Sequence, residues 1–202
     1  MNARVDLASH ADAQSNRILN AAQCCFAERG FHAASMASIA ETAGISAGLI
    51  YRYFKSKHEI IQGIVQRQLD LLGEDMAASP ANVAELVDVL VQSYYESKTC
   101  GRGRGLEPAL VMEIAAESRR DPTIARAIED FDRQIDGHIR GWLQRPREEG
   151  GIGLDDAQAA RRALLLRLIM HGMKMHQLRQ PDLDPALLHA TLAESLARLL
   201  AA

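Results

Sequence analysis

Aromatic residues are scarce in this chain of 202 residues, at 4%, and proline occurs only six times. Strand signals are almost absent as well, since no run of alternating β-branched residues is bounded by turn residues. With 48% apolar residues and ample length for a core, the chain reads as all-α. Long hydrophobic runs are also missing. The strongest, ALLLRLIM at 163–170, is cut by Arg167 and is far too short for a bilayer span. The opening stretch MNARVDLASHADAQS is polar and lacks the apolar centre of a secretory signal. A cytoplasmic protein without membrane association is expected.

Excess charge of one sign is lacking too. The net charge is -3, and residues 1–60 carry six Lys and Arg against five Asp and Glu, about +1, leaving about -4 for the remainder. Bulk electrostatics does not announce a nucleic-acid partner, although a basic footprint needs only to be local. The three cysteines are an odd number, and Cys24 and Cys25 are adjacent. Helix neighbours point about 100° apart and do not easily bridge, so small buried thiols in a reducing compartment are expected. Cys100, beside Arg102 and Arg104, is the better candidate for a redox-active thiol.

What is present is helical periodicity. From Ser15, Ile18, Ala22, Cys25 and Phe26 recur at helix spacing up to Gly30. Ser35 caps a short helix through Ala43, Gly44 ends it, and Ser46 caps a second short helix with Ile50, Tyr51 and Phe54. Ser56 with Glu59 has capping-box spacing and opens a long helix to about Ala78. Further helices follow Pro80, Leu106, Pro122, Asp155 and Pro185. The one from Pro122 is expected to run to about Glu149, and GRGRG at 101–105 reads as a linker. The total is about nine helices.

The two short helices joined at Gly44 form a helix-turn-helix pattern. Helices so short are marginal alone and must be held by neighbours. A recognition helix is built that way because one side must enter a major groove about 12 Å wide. Ser35 and Ser46 then offer hydroxyls at helix starts, Tyr51 and Tyr53 offer phenolic donors, and Lys57 offers a charge, all suited to phosphate. Ala47, Gly48, Leu49 and Arg52 would lie nearest the base edges. The same shape also serves as plain packing in all-α proteins, and the pattern alone leaves both readings open.

The text from Ile18 to Ile61, ILNAAQCCFAERGFHAASMASIAETAGISAGLIYRYFKSKHEII, resembles the DNA-binding domain of the TetR family of bacterial repressors. The shared pattern is Ile, Ala, Phe, Glu and Gly-aromatic, then Ile-Ala, Ala-Gly-Ile-Ser, Gly, Tyr, Phe and Lys. The resemblance implies phosphate contacts at Ser35, Ser46, Tyr51, Tyr53 and Lys57, and base-facing positions at Ala47, Gly48, Leu49 and Arg52. Where Ser35 stands the family often has Thr, and Met36 and Ala37 offer nothing polar for bases. The stretch from Leu106 onward resembles, more loosely, the C-terminal bundle of the BetI-type branch.

The resemblance further implies a ligand-responsive repressor that binds a palindromic, double-stranded operator DNA as a homodimer and is released by a small-molecule effector. It implies three regions: a disordered tail over 1–14, the helix-turn-helix domain over 15–58, and an effector-binding and dimerisation domain over 59–202. Effector-pocket candidates are Tyr95, Met112, Phe131, His138, Trp142 and His171. The helix ARRALLLRLIMHGMKM is apolar on more than one face, so both must be covered. With the last helix it supplies the expected dimer interface, Leu165, Ile169, Met173, Leu192, Leu196 and Leu199. No cofactor, metal site or catalytic residue is expected. His171 and His176 are five residues apart, the wrong spacing for a shared helical metal site. A DNA-binding protein without an effector, or a helical-bundle enzyme, are the competing readings. The second lacks any nucleophile elbow or phosphate-cradling loop.

Overall fold

The structure, a computed structural model, describes residues 2–76, 80–96 and 106–201, and the side chains of 12–71, 80–95 and 106–201. Cys100 and the GRGRG segment lie outside the described residues. Among the described residues nine α-helices occur: α1 (Asn2–Ala33), α2 (Met36–Thr42), α3 (Ala47–Tyr53), α4 (Lys57–Met76), α5 (Val83–Glu96), α6 (Pro108–Ser118), α7 (Pro122–Gln144), α8 (Asp156–Arg179) and α9 (Pro185–Leu199). No helix among the described residues is long and apolar enough to cross a membrane.

Two boundaries differ from expectation, each for a local reason. The backbone of 2–14, expected as a disordered tail, is helical from Asn2. No proline or glycine interrupts that stretch, so nothing stops the helix there. Helix α7 ends at Gln144 rather than near Glu149. Pro146 has no N–H to continue the helix and pushes Arg145 out of helical geometry. A single 3-10 turn at Arg147–Glu149 follows.

The residues group into two compact units, Met1–Gln68 with Lys98–Ile128, and Leu69–Ser97 with Glu129–Ala202. The expected division near residue 58 therefore does not match the packing. Helix α6 and the start of α7 belong with the helix-turn-helix. The reason is visible in α6, whose buried Leu110 and Ile114 lie on a helix that packs on α1.

In the first unit Ile18, Ala22 and Phe26 of α1, Ile39 of α2, Ile50 of α3 and Ile60 and Ile64 of α4 are all fully buried. Burial of this kind stabilises by roughly 1.5–3 kcal/mol per large side chain. The second unit has its own core, including Leu90 and Tyr94 of α5, Leu143 of α7, Leu166 of α8 and Leu192 and Leu196 of α9. The chain after α7 turns back over it, with the Ile152 and Leu154 amides donating to the Trp142 and Leu143 carbonyls.

Candidate nucleic-acid interface

The start of α2 is set by Ser35. Its hydroxyl accepts from the Ser38 amide at 3.0 Å, and the Ser38 hydroxyl accepts from the Ser35 amide at 3.0 Å. This reciprocal cap uses serine where glutamate is usual. The helix stops at Gly44, whose φ of 63° is left-handed. The Ile45 amide reaches back to the Ala40 carbonyl and the Gly44 amide to Glu41, which closes a Schellman turn. From α1, Arg17 donates to the Gly44 carbonyl at 3.3 Å and braces the turn.

Helix α3 has seven residues, capped by the Ser46 hydroxyl accepting from the Leu49 amide at 3.2 Å. Ile50 alone is fully buried and anchors it. Ala47, Gly48, Tyr51 and Arg52 are exposed, and Leu49 and Tyr53 are half-buried. Tyr51 is 54% exposed, unusual for so large a ring in a monomeric surface. Arg52 makes no hydrogen bond or ion pair among the described residues. The exposed face is thus a bare first turn followed by a phenol and an unengaged guanidinium.

Lys57 departs from the expectation of a phosphate contact. Its Nζ donates to the carbonyls of Phe31 at 2.5 Å, Ala34 at 2.7 Å and His32 at 3.2 Å, and it sits over the Phe31 ring. An ammonium has three N–H groups, and all three have acceptors here. Burial lowers its pKa from the ordinary lysine value, while the Glu117 carboxylate opposes that shift. The helix-breaking Gly30, at φ 77°, exposes these carbonyls by ending the regular helix. Lys57 closes that corner.

Three carboxylates complete the corner. Glu113 accepts from the Phe31 amide at 2.8 Å, the buried Glu117 meets His32 at 3.0 Å and Arg120 at 2.8 Å, and Asp121 lies 3.6 Å from His58. The available signal was spacing. Like charges four residues apart destabilise an isolated helix, so Glu113 and Glu117 on one face imply partners elsewhere.

A family model described as "Bacterial regulatory proteins, tetR family" matches residues 18–64, which are the capped helices and their core. The HTH-type transcriptional regulator UidR of Escherichia coli K12 is 32% identical over 167 residues, covering 81% of each chain. The chain belongs to the tetR family of bacterial regulatory proteins. It is a DNA-binding transcriptional regulator and not an enzyme. Among solved structures, Salmonella enterica GusR superposes with a TM-score of 0.69 at 27% identity, covering 93% of this chain and 95% of that one. FadR from Bacillus subtilis in complex with stearoyl-CoA shares the fold at 21% identity and a TM-score of 0.63, covering 89% and 96%.

The residues expected for an effector pocket and a dimer interface are placed as follows. Trp142 is core, 4% exposed, with Nε1 donating to the Pro80 carbonyl at 2.7 Å. The Tyr95 hydroxyl donates to the Leu183 carbonyl at 2.7 Å, and Phe131 is half-buried. His138 and His171 are exposed, each off the inward stripe of its helix, and half-buried Met112 belongs to the other unit.

Of the expected dimer residues, Leu192 and Leu196 are buried in their own unit's core, and Ile169, Met173 and Leu199 pack against it. Only Leu165 faces outward. The outward apolar row of α8 is Leu164, Leu168, Met175 and Leu178, with Leu165 beside it. The sequence showed two apolar faces on α8, and packing chose the other one for the interior.

Proposed function

We propose that this regulator represses transcription by seating α3 of each protomer in successive major grooves of a near-palindromic operator. The observation that carries the reading is the exposed, unengaged face of α3, held by one buried isoleucine and two serine caps. Ser35, Ser46, Tyr51 and Tyr53 contact phosphates, Arg52 with Ala47, Gly48 and Leu49 faces base edges, and Lys57 supports the corner from behind. Fluorescence anisotropy with DNA flanking its own gene tests this. Saturable, salt-sensitive binding that Arg52→Ala weakens is the expected result, and no binding above that of a random duplex refutes it.

Pairing of two chains through α8 supports such an operator. Leu164, Leu168, Met175 and Leu178 are spaced by four, seven and three residues, which keeps them on one face in the heptad register of paired helices. Two recognition helices then meet half-sites about 34–36 Å apart. Release by a small-molecule effector is the second half of the proposal, supported by the stearoyl-CoA held by the Bacillus subtilis protein of the same fold. Such a ligand must bind the DNA-incompetent state more tightly than the competent one, because equal binding shifts nothing. A thermal-shift screen, followed by competition against operator DNA, identifies it. A ligand that stabilises the protein without releasing DNA would not be its inducer.

A further inference from the structure

We propose that the operator half-site is read as two kinds of base by α3: a guanine by Arg52 and neighbouring thymine methyl groups by Ala47 and Gly48. The inference rests on the major-groove reading above and goes beyond it to base identity. It begins with what the exposed face of α3 can and cannot do chemically.

Arg52 is exposed and without a partner among the described residues, so its guanidinium reaches a groove without first breaking a bond. A guanidinium has five donors and no acceptor. In the major groove it pairs in a bidentate manner with guanine O6 and N7, both acceptors, whereas adenine and cytosine each present a donor. Helical side chains lean toward the N-terminus over the residue four earlier, which for Arg52 is Gly48. The surface under the guanidinium is therefore bare.

The first turn holds no hydrogen-bonding side chain after Ser46, whose hydroxyl already caps the Leu49 amide. Ala47 is a methyl group and Gly48 has no side chain. A surface of this kind distinguishes bases only through apolar contact, and the thymine C5-methyl is the apolar group in the groove. Gly48 carries a second observation. A Cβ built on it meets nothing within 4 Å, so nothing inside the described protein requires glycine there. Glycine is the poorer helix former, and its use in a helix fits close approach of an outside surface. The first turn can press against methyl groups and the backbone that bears them.

The test is selection of binding sites from a pool of random-sequence duplexes with the full-length protein at fixed salt. The wild type should enrich a half-site with one strongly preferred guanine and adjacent A·T pairs of fixed orientation. Arg52→Ala should lose the guanine preference and keep the thymines. Replacing those thymines by deoxyuridine in the selected duplex removes only the methyl groups, and should weaken binding about fourfold for each methyl contacted. Gly48→Ala should bind the selected duplex more weakly while its thermal midpoint stays equal or rises, which excludes a folding defect. Retention of the guanine by Arg52→Ala overturns the first assignment. Equal affinity for the deoxyuridine duplex, or full affinity of Gly48→Ala, overturns the second. Failure to enrich any sequence would instead sink the proposal that α3 reads an operator in the major groove.

Discussion

The ammonium of Lys57 lies 4.5 Å from the centre of the Phe31 ring and donates to the carbonyl of that same residue. A cation at the start of α4 thereby closes the end of α1, the helix that carries the core of the recognition unit. The positive charge is spent on carbonyl dipoles and a ring face, not on solvent or phosphate.

Lys57→Ala should therefore lower stability rather than only DNA affinity. Charge-assisted hydrogen bonds contribute about 1.5–3 kcal/mol each, and partial exposure reduces their sum to about 2–4 kcal/mol. Urea unfolding measures this. The salt dependence of DNA binding should stay unchanged in the variant, because the Lys57 ammonium is engaged by three carbonyls of its own fold and neutralises no phosphate.

Glu113 makes one bond that can be watched directly. Its Oε2 accepts the Phe31 amide, an otherwise unpaired donor just after the break at Gly30. Glu113→Ala should expose that amide and cost about 1–3 kcal/mol. Hydrogen exchange should then accelerate at Phe31 more than at the Ile39 amide, which is held within α2 by the Ser35 carbonyl. Equal acceleration at both sites would mean that Glu113 acts on the unit as a whole.

Asp121 makes the first unit sensitive to acid. The Thr123 amide, donating at 2.7 Å, is the chief cause holding its carboxyl below the ordinary range, helped by the Ile124 amide and His58 and opposed by burial. A carboxyl depressed in the folded state contributes stability fully above its unfolded pKa, near 4, and loses it as pH falls through the folded value. Asp121→Ala should thus melt below wild type at pH 7, and the two should converge as pH drops from about 5 toward 3. A constant difference across that range would assign the residue a role independent of charge.

Two leucines separate assembly from folding. Leu168 is 56% exposed and Leu196 fully buried. Leu168→Glu should give a folded monomer by sedimentation, because the charge meets water in the single chain and is buried only in the pair. Leu196→Ala should cost about 2–5 kcal/mol through its cavity and shift the dimer only as far as it unfolds the chain. A Leu168→Glu protein that remains dimeric would move the interface off this face of α8.

The helix-turn-helix was legible because its signals are local. Ser35, Gly44 and Ser46 act on amides and carbonyls within a few residues, and Ile39 and Ile50 mark inward faces by spacing. The effector candidates were not legible in this way. Aromatic and histidine residues on α7 and α8 were grouped by chemistry, and the helical turn put His138 and His171 outside and Trp142 in the core.

By itself, then, the sequence determined the helical class, the capped turn and the exposed face of α3, which arise from interactions over three to five residues. Only the tertiary structure decided where Lys57 spends its charge, that α6 joins the helix-turn-helix unit, and which apolar face of α8 is left exposed. The reason is physical. A cation satisfies whatever acceptors the fold brings to it, and a helix apolar on two sides does not encode which side its own core will cover.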